Sequence, residues 1–200
     1  MAKQGYHHGN LREALIEATL TLIVAKGPQG FTLSEAARQA GVTPAAIYRH
    51  FAGRDDLVAE TARQGYELFA AMLSEVGAGP GAPRVRAMAQ AYLAFAEAHP
   101  GHYVAMFESG IDLARRPALA DAAGRARDLL HGACNGLCAD AAEVTAHVWS
   151  LSHGVVELYL RNSAGLSQPP DARVMLSRAL DTYLAGLAPS ASPPASQTSR

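Results

Sequence analysis

Along most of this 200-residue chain, apolar side chains recur at the three- and four-residue spacing of one helix face, broken by short glycine- and proline-rich interruptions. From Asn10 to Lys26 the stripe is Leu11, Leu15, Ala18 and Leu22; Asn10 and Glu13 have capping-box spacing, and Gly27-Pro28-Gln29-Gly30 closes the helix. Two short helices are predicted over Thr32 to Ala40 and Thr43 to Phe51. A long one follows over Arg54 to Val76, with the stripe Leu57, Val58, Thr61, Gly65, Leu68, Phe69, Met72 and Val76. The run from Gly77 to Pro83 cannot continue a helix and reads as a flexible link. Beyond it the pattern predicts helices at about 84–98, 101–109, 117–139, 141–162 and 171–187.

Composition agrees with an all-α fold. The 41 alanines and 22 leucines far outnumber the 15 valines and isoleucines, which argues against a β-sandwich or barrel. With 17 basic and 18 acidic residues, the chain is no polycation. It contains no uncharged apolar stretch of the roughly 18 residues that a membrane span requires. Met1 to Asn10 lacks the apolar core of a secretory signal, and two cysteines cannot build a disulfide scaffold, so a reducing cytoplasm is the expected setting. Ala188 to Arg200, rich in Ser, Pro and Ala, is expected to be disordered. The expected organisation is a small N-terminal domain over 1–53, a larger helical domain over 54–187 and a tail over 188–200.

The chemically informative stretch is Phe31 to Phe51. Thr32 and Glu35 form a second capping box, and Ala36, Ala37 and Ala40 permit close approach of a neighbouring helix. Gly41 suits a sharp turn, Thr43 an N-cap and Pro44 the first helical position. With Ile47 and Phe51 inward, the opposite face presents Ala45, Ala46 and Arg49, flanked by Tyr48 and His50. A short helix with small residues at its start and a cation after them can enter a major groove and bring its first turn to base edges.

These residues, together with Leu11-Arg12-Glu13-Ala14-Leu15 and Arg54-Asp55-Asp56-Leu57, resemble the DNA-binding domain of TetR-type (tetracycline-repressor-like) transcriptional regulators over about residues 6–60. Trp149 with His153-Gly154 also resembles the branch marked by a Trp-His-Gly signature. The resemblance implies that Tyr48, His50 and Arg54 meet phosphates. It places Thr32, Ser34, Thr43, Pro44, Ala45, Ala46 and Arg49 at or near the bases of double-stranded operator DNA. Ala45 and Ala46 offer only methyl contacts, suited to thymine, which leaves Arg49 as the candidate for a hydrogen bond to guanine. Ala52 stands where the family often has a basic residue. Residues 1–65 carry seven basic and six acidic side chains, so non-specific DNA affinity should be weak. Three or four phosphate contacts per subunit would give a dimer a log–log salt slope of roughly −5 to −7. The arm Tyr6-His7-His8-Gly9 could follow the DNA backbone or fray.

Aromatic and sulfur side chains gather in the second half. Phe69, Met72, Tyr92, Phe95, Tyr103, Met106, Phe107, Cys134, Trp149 and His153 fit either an ordinary core or the apolar pocket for a small effector that the resemblance implies. His153 could bond a backbone carbonyl or contact a ligand, and Gly154 suggests close approach by a helix or ligand. His131, Cys134 and Cys138, at i, i+3 and i+7 of the helix over 117–139, share one face, which raises a metal or redox role, but no fourth ligand is evident. No cofactor is expected. The helices at 141–162 and 171–187 carry apolar residues enough for a second buried face, and in the family this pair forms a homodimer interface. An enzyme using His153 or His131/Cys134 lacks a nucleophile–base–orienter set. The remaining rival is a helical small-molecule binder or protein adaptor.

Overall fold

Each segment with helical periodicity forms a helix in the computed structural model, which describes residues 8–77, 79–163 and 165–187. The helices are α1 (His8–Lys26), α2 (Leu33–Gln39), α3 (Pro44–Ile47), α4 (Arg54–Glu75), α5 (Ala82–Ala98), α6 (Pro100–Phe107), α7 (Pro117–Cys134), α8 (Ala141–Val155) and α9 (Ala172–Ala185). One 3-10 turn (Leu113–Arg115) precedes α7, and one π-helical turn (Val156–Leu160) extends α8. Among the described residues there is no strand, and no helix is long and apolar enough to cross a membrane. Tyr6, His7 and the segment 188–200 lie outside the described residues.

Several boundaries differ from the sequence pattern for identifiable reasons. Helix α1 starts at His8, so Asn10 lies inside it rather than capping it. Helix α3 is regular only to Ile47; beyond it Arg49 N–H bonds the Ala46 carbonyl and His50 N–H the Ile47 carbonyl, the tighter i to i+3 pattern. Helix α7 stops at Cys134 instead of 139, because Asn135-Gly136 turns the chain and Asp140 opens the next helix by accepting from the N–H groups of Ala142 and Glu143. Helix α8 gives way at Val156 to a π-helical turn, where Arg161 N–H reaches the Val156 carbonyl.

Contacts divide the chain into two units, residues 1–72 with 95–126 and residues 73–94 with 127–200. In the first, Leu15, Ile16, Ile23, Phe31, Ile47, Leu57, Phe69, Phe95 and Tyr103 are buried. The hydroxyls of Thr19 and Thr61, also buried, donate to the carbonyls four residues back. The inward line of α4 runs through Val58, Ala62, Gly65, Tyr66, Phe69 and Leu73, which leaves Leu68, expected in the core, 41% exposed. In the second unit, Val85, Leu93, Val144, Val148, Leu176 and Leu180 form the core. There Arg86 binds Asp181 at 2.7 Å and Gln90 donates to Ser177 Oγ at 3.0 Å, tying α5 to α9. The Gly/Pro link is anchored where Gly81 N–H donates to the Ala133 carbonyl.

Gly65 shows how closely α4 and α6 pack. A Cβ there would lie 2.7 Å from Met106 Sδ and 3.0 Å from His102 Cβ. The thioether can swing aside, whereas His102 Cβ is fixed to the α6 backbone. Gly65→Ala should lie near neutrality, since its gain of about 1 kcal/mol in helix propensity offsets the crowding. Gly65→Val should lose about 2 kcal/mol in urea unfolding through overpacking.

Candidate functional site

The helix–turn–helix is assembled from its caps outward. Thr32 Oγ1 accepts from Glu35 N–H at 3.2 Å, and Glu35 Oε2 accepts from Thr32 N–H at 2.9 Å, completing the expected box. Lys26 Nζ sits 2.6 Å from the same carboxylate. The Lys26 hydrogen bond first, and the Thr32 N–H second, hold the Glu35 carboxyl down to about 2. Gly41, at φ +72°, makes the turn between α2 and α3 in a conformation that L side chains rarely adopt. Thr43 occupies the N-cap position but makes no side-chain cap bond, and Pro44 stands at the first helical position as expected.

The orientation of α3 follows from burial. Ile47 is 0% exposed and Phe51 4%. Ser34, Thr43, Pro44, Ala45 and Arg49 are exposed, Tyr48 is 59% exposed, and Ala46 and His50 are half-buried. Thr32 is exposed, yet its hydroxyl already serves the cap. Arg54 is partly committed within the protein: Nη2 pairs with Asp55 Oδ1 at 2.9 Å and Nη1 donates to the Gln29 carbonyl at 3.3 Å.

The expected effector residues fall into two groups, one in each unit. In the first unit, Phe69 and Phe95 have ring centroids 5.1 Å apart, Tyr103 and Phe107 4.9 Å. Met106 lies against Gly65, and Met72 is half-buried. In the second, Tyr92 Oη meets His153 Nδ1 at 2.9 Å and the Tyr92 and Trp149 rings pack edge-on at 5.6 Å. His153 Nδ1 therefore engages a phenol, a partner that the sequence did not suggest. A Cβ on Gly154 would meet nothing within 4 Å, so the close neighbour expected there is missing among the described residues.

Cys134 is buried in the same unit, with burial pushing its thiol up. Cys138 sits beyond the end of α7, its Sγ accepting from Asp140 N–H at 3.3 Å. The shared face with His131 therefore does not form, and His131 Nδ1 instead lies 3.3 Å from Thr145 Oγ1. Among the described residues, no group of three metal-ligating side chains converges.

Residues 15–61 match the family model described as bacterial regulatory proteins, tetR family, and residues 85–183 match the tetracyclin repressor-like C-terminal domain. A curated relative, the uncharacterized HTH-type transcriptional regulator Rv0681 of Mycobacterium tuberculosis, is 33% identical over 95 residues. That match spans 47% of this chain and 44% of the relative, less than half of its length. Among solved structures, a protein of unknown function from Rhodococcus sp. RHA1 is similar with TM-score 0.78 and 26% identity, over 93% of this chain and all of the other. The TetR family regulator PfmR of Thermus thermophilus shares the fold at TM-score 0.69 and 18% identity, over 88% of this chain and 97% of its own. FadR of Bacillus subtilis, solved in complex with stearoyl-CoA, shares it at TM-score 0.71 and 15% identity, over 88% and 99%. The chain belongs to the TetR family.

The family is one of DNA-binding transcriptional regulators. The cations of this TetR-family chain are used sparingly. Arg12 pairs with Glu60 at 2.7 Å, Lys26 with Glu35, and Arg63 with Glu60 and Glu67. Among the described residues up to Arg63, Arg38 and Arg49 are the two arginines without an acidic partner, and both are exposed.

Sequence reasoning passed over His102. It is 8% exposed on α6, its ring 5.9 Å from that of His99, and its Nε2 is buried without a hydrogen-bond partner. The available signal was a pair of histidines three residues apart opening an otherwise apolar and aromatic helix. Burial first, and the neighbouring His99 second, bring its pKa down to about 4. Between about pH 6.5 and 4 the unfolded chain takes up a proton that the folded chain refuses. The stability at stake is thus complete above that window and declines as pH falls through it, by up to about 3 kcal/mol. Urea unfolding at pH 7.5 and 4.5 should show a steeper loss for wild type than for His102→Phe.

Proposed function

We propose that the chain is a homodimeric repressor, released from its operator by a small, largely apolar effector. The observation that carries the reading is the division of α3 and the turn that continues it into a buried side, Ile47 and Phe51, and an exposed side, Pro44, Ala45, Tyr48 and Arg49. An α-helix presented in this way suits the major groove, with Arg49 as the base-reading cation and Tyr48, His50 and Arg54 on phosphates. Ser34, Thr43 and Ala46 complete the contact surface, and residues 1–53 act as the reading head. Residues 54–187 bind the effector and the second subunit.

Dimerisation through α8 and α9 is supported by what those helices leave uncovered. An open groove of about 690 Å³ is lined by His147, Leu151, Met175, Ala179 and Tyr183 among others, and Val174 is 47% exposed. A two-fold pair would place half-sites one duplex turn apart, roughly 34–36 Å. The effector acts by binding the released state better than the DNA-bound one, so operator DNA should weaken effector binding by the same factor in return.

Mobility shift on the chain's own upstream region tests the reading head. Arg49→Ala should weaken specific retardation by about 5- to 150-fold, the range of a lost base contact. Tyr48→Ala should weaken specific and non-specific binding together; unchanged retardation by both variants would defeat the assignment. With Arg38 uncommitted and Arg54 leaving Asp55 for phosphate, two phosphate contacts per subunit should give a dimer a salt slope of about −4. Leu151→Glu should give a monomer by sedimentation and lose retardation with it.

A further inference from the structure

We propose that His102 Nε2 is the recognition point for an uncharged hydroxyl on an otherwise apolar effector, held among the aromatic side chains of α4, α5 and α6. The assignment rests on the effector-released reading above and gives that effector a chemical class.

Buried polar groups in folded proteins are almost always hydrogen-bonded, and an exception calls for a missing water or ligand. His102 is such an exception in the interior of the first unit, where its Nε2 has neither solvent nor partner. The imidazole is also held in place. Gly65 of α4 lacks the Cβ that would press on His102 Cβ at 3.0 Å, so the two helices close on the base of the ring. Nearby rings supply apolar surface: Phe95 stacks near His99 at 5.2 Å, His99 meets His102 edge-on at 5.9 Å, and Tyr103 lies one residue along the same helix, 1% exposed.

The chemistry of the surroundings selects the ligand group. Helix α6 carries no Asp, Glu, Lys or Arg. The charged residues of the facing stretch of α4, Glu60, Arg63 and Glu67, are tied to one another and to Arg12 and Arg125. An ammonium brought beside His102 would therefore be desolvated without a counter-charge, and a carboxylate would gain one only by protonating a buried imidazole. A hydroxyl can donate to one tautomer of the imidazole or accept from the other, so it satisfies Nε2 in either case.

The test uses the full chain labelled with ¹⁵N-histidine and two probes of matched size, 1-naphthol and 1-methylnaphthalene, which differ by hydroxyl against methyl. Calorimetry should find naphthol bound at least tenfold more tightly, and naphthol should move a ring-nitrogen resonance that is absent from His102→Phe. The preference should fall below twofold in His102→Phe and in His102→Leu, two fillings of different shape so that misfolding of one leaves the other to decide. His102→Gln, whose amide donates and accepts, should restore part of it. Equal affinities in wild type, no naphthol binding up to its solubility, or a preference that survives both apolar variants would overturn the assignment. Operator retardation is read on the same samples. If naphthol shifts the His102 resonance and leaves retardation unchanged, the His102 assignment stands and effector release fails.

Discussion

A helix of four residues has too few internal hydrogen bonds to persist in water, so α3 exists because tertiary packing holds it. Ile47 and Phe51 supply that hold, both nearly or wholly removed from solvent. Their burial fixes the rotation of the helix, and rotation decides which side chains face outward. The capping box at Thr32 and the Lys26–Glu35 pair fix where α2 begins, and Gly41 fixes the turn between them. A change of one residue in that register would bring Tyr48 or His50 to the place where Arg49 now faces outward.

Electrostatics then sets how strongly the surface can attract DNA. Two of the four described cations in residues 1–53 are used internally, Arg12 on Glu60 and Lys26 on Glu35. What remains outward is small and local. Under the proposed reading such a surface would bind arbitrary sequence weakly and rely on geometry for affinity, because each phosphate contact contributes a salt-dependent increment. Under the proposed two-fold pairing, two such surfaces would act together on one duplex, and the uncovered α8–α9 groove is the face the pairing would use.

Much of the helix–turn–helix was legible because its signals are local. Thr32 with Glu35, Gly41 and Thr43-Pro44 each act within a few residues, and each occupies the position its chemistry predicts. Elsewhere local signals misled. Asn10 and Glu13 have capping-box spacing but sit inside α1, and Leu68 belongs to the apolar pattern yet faces outward because the inward line of α4 passes through Gly65, Tyr66 and Phe69. The helical face of His131, Cys134 and Cys138 failed because Asn135-Gly136 ends the helix before Cys138. His102 drew no notice because nothing in sequence says whether a lone histidine's second nitrogen finds a partner.

By itself the sequence determined the all-helical fold, most of the breaks and the local build of the helix–turn–helix, since periodicity, capping and turn formation depend on neighbours within about one or two helical turns. Tertiary structure decided which arginines remain outward, that the Tyr92 phenol engages His153, and that His102 is sealed in with its Nε2 unpartnered. Those outcomes depend on residues tens of positions apart arriving at one place, and no short-range spacing records where they meet.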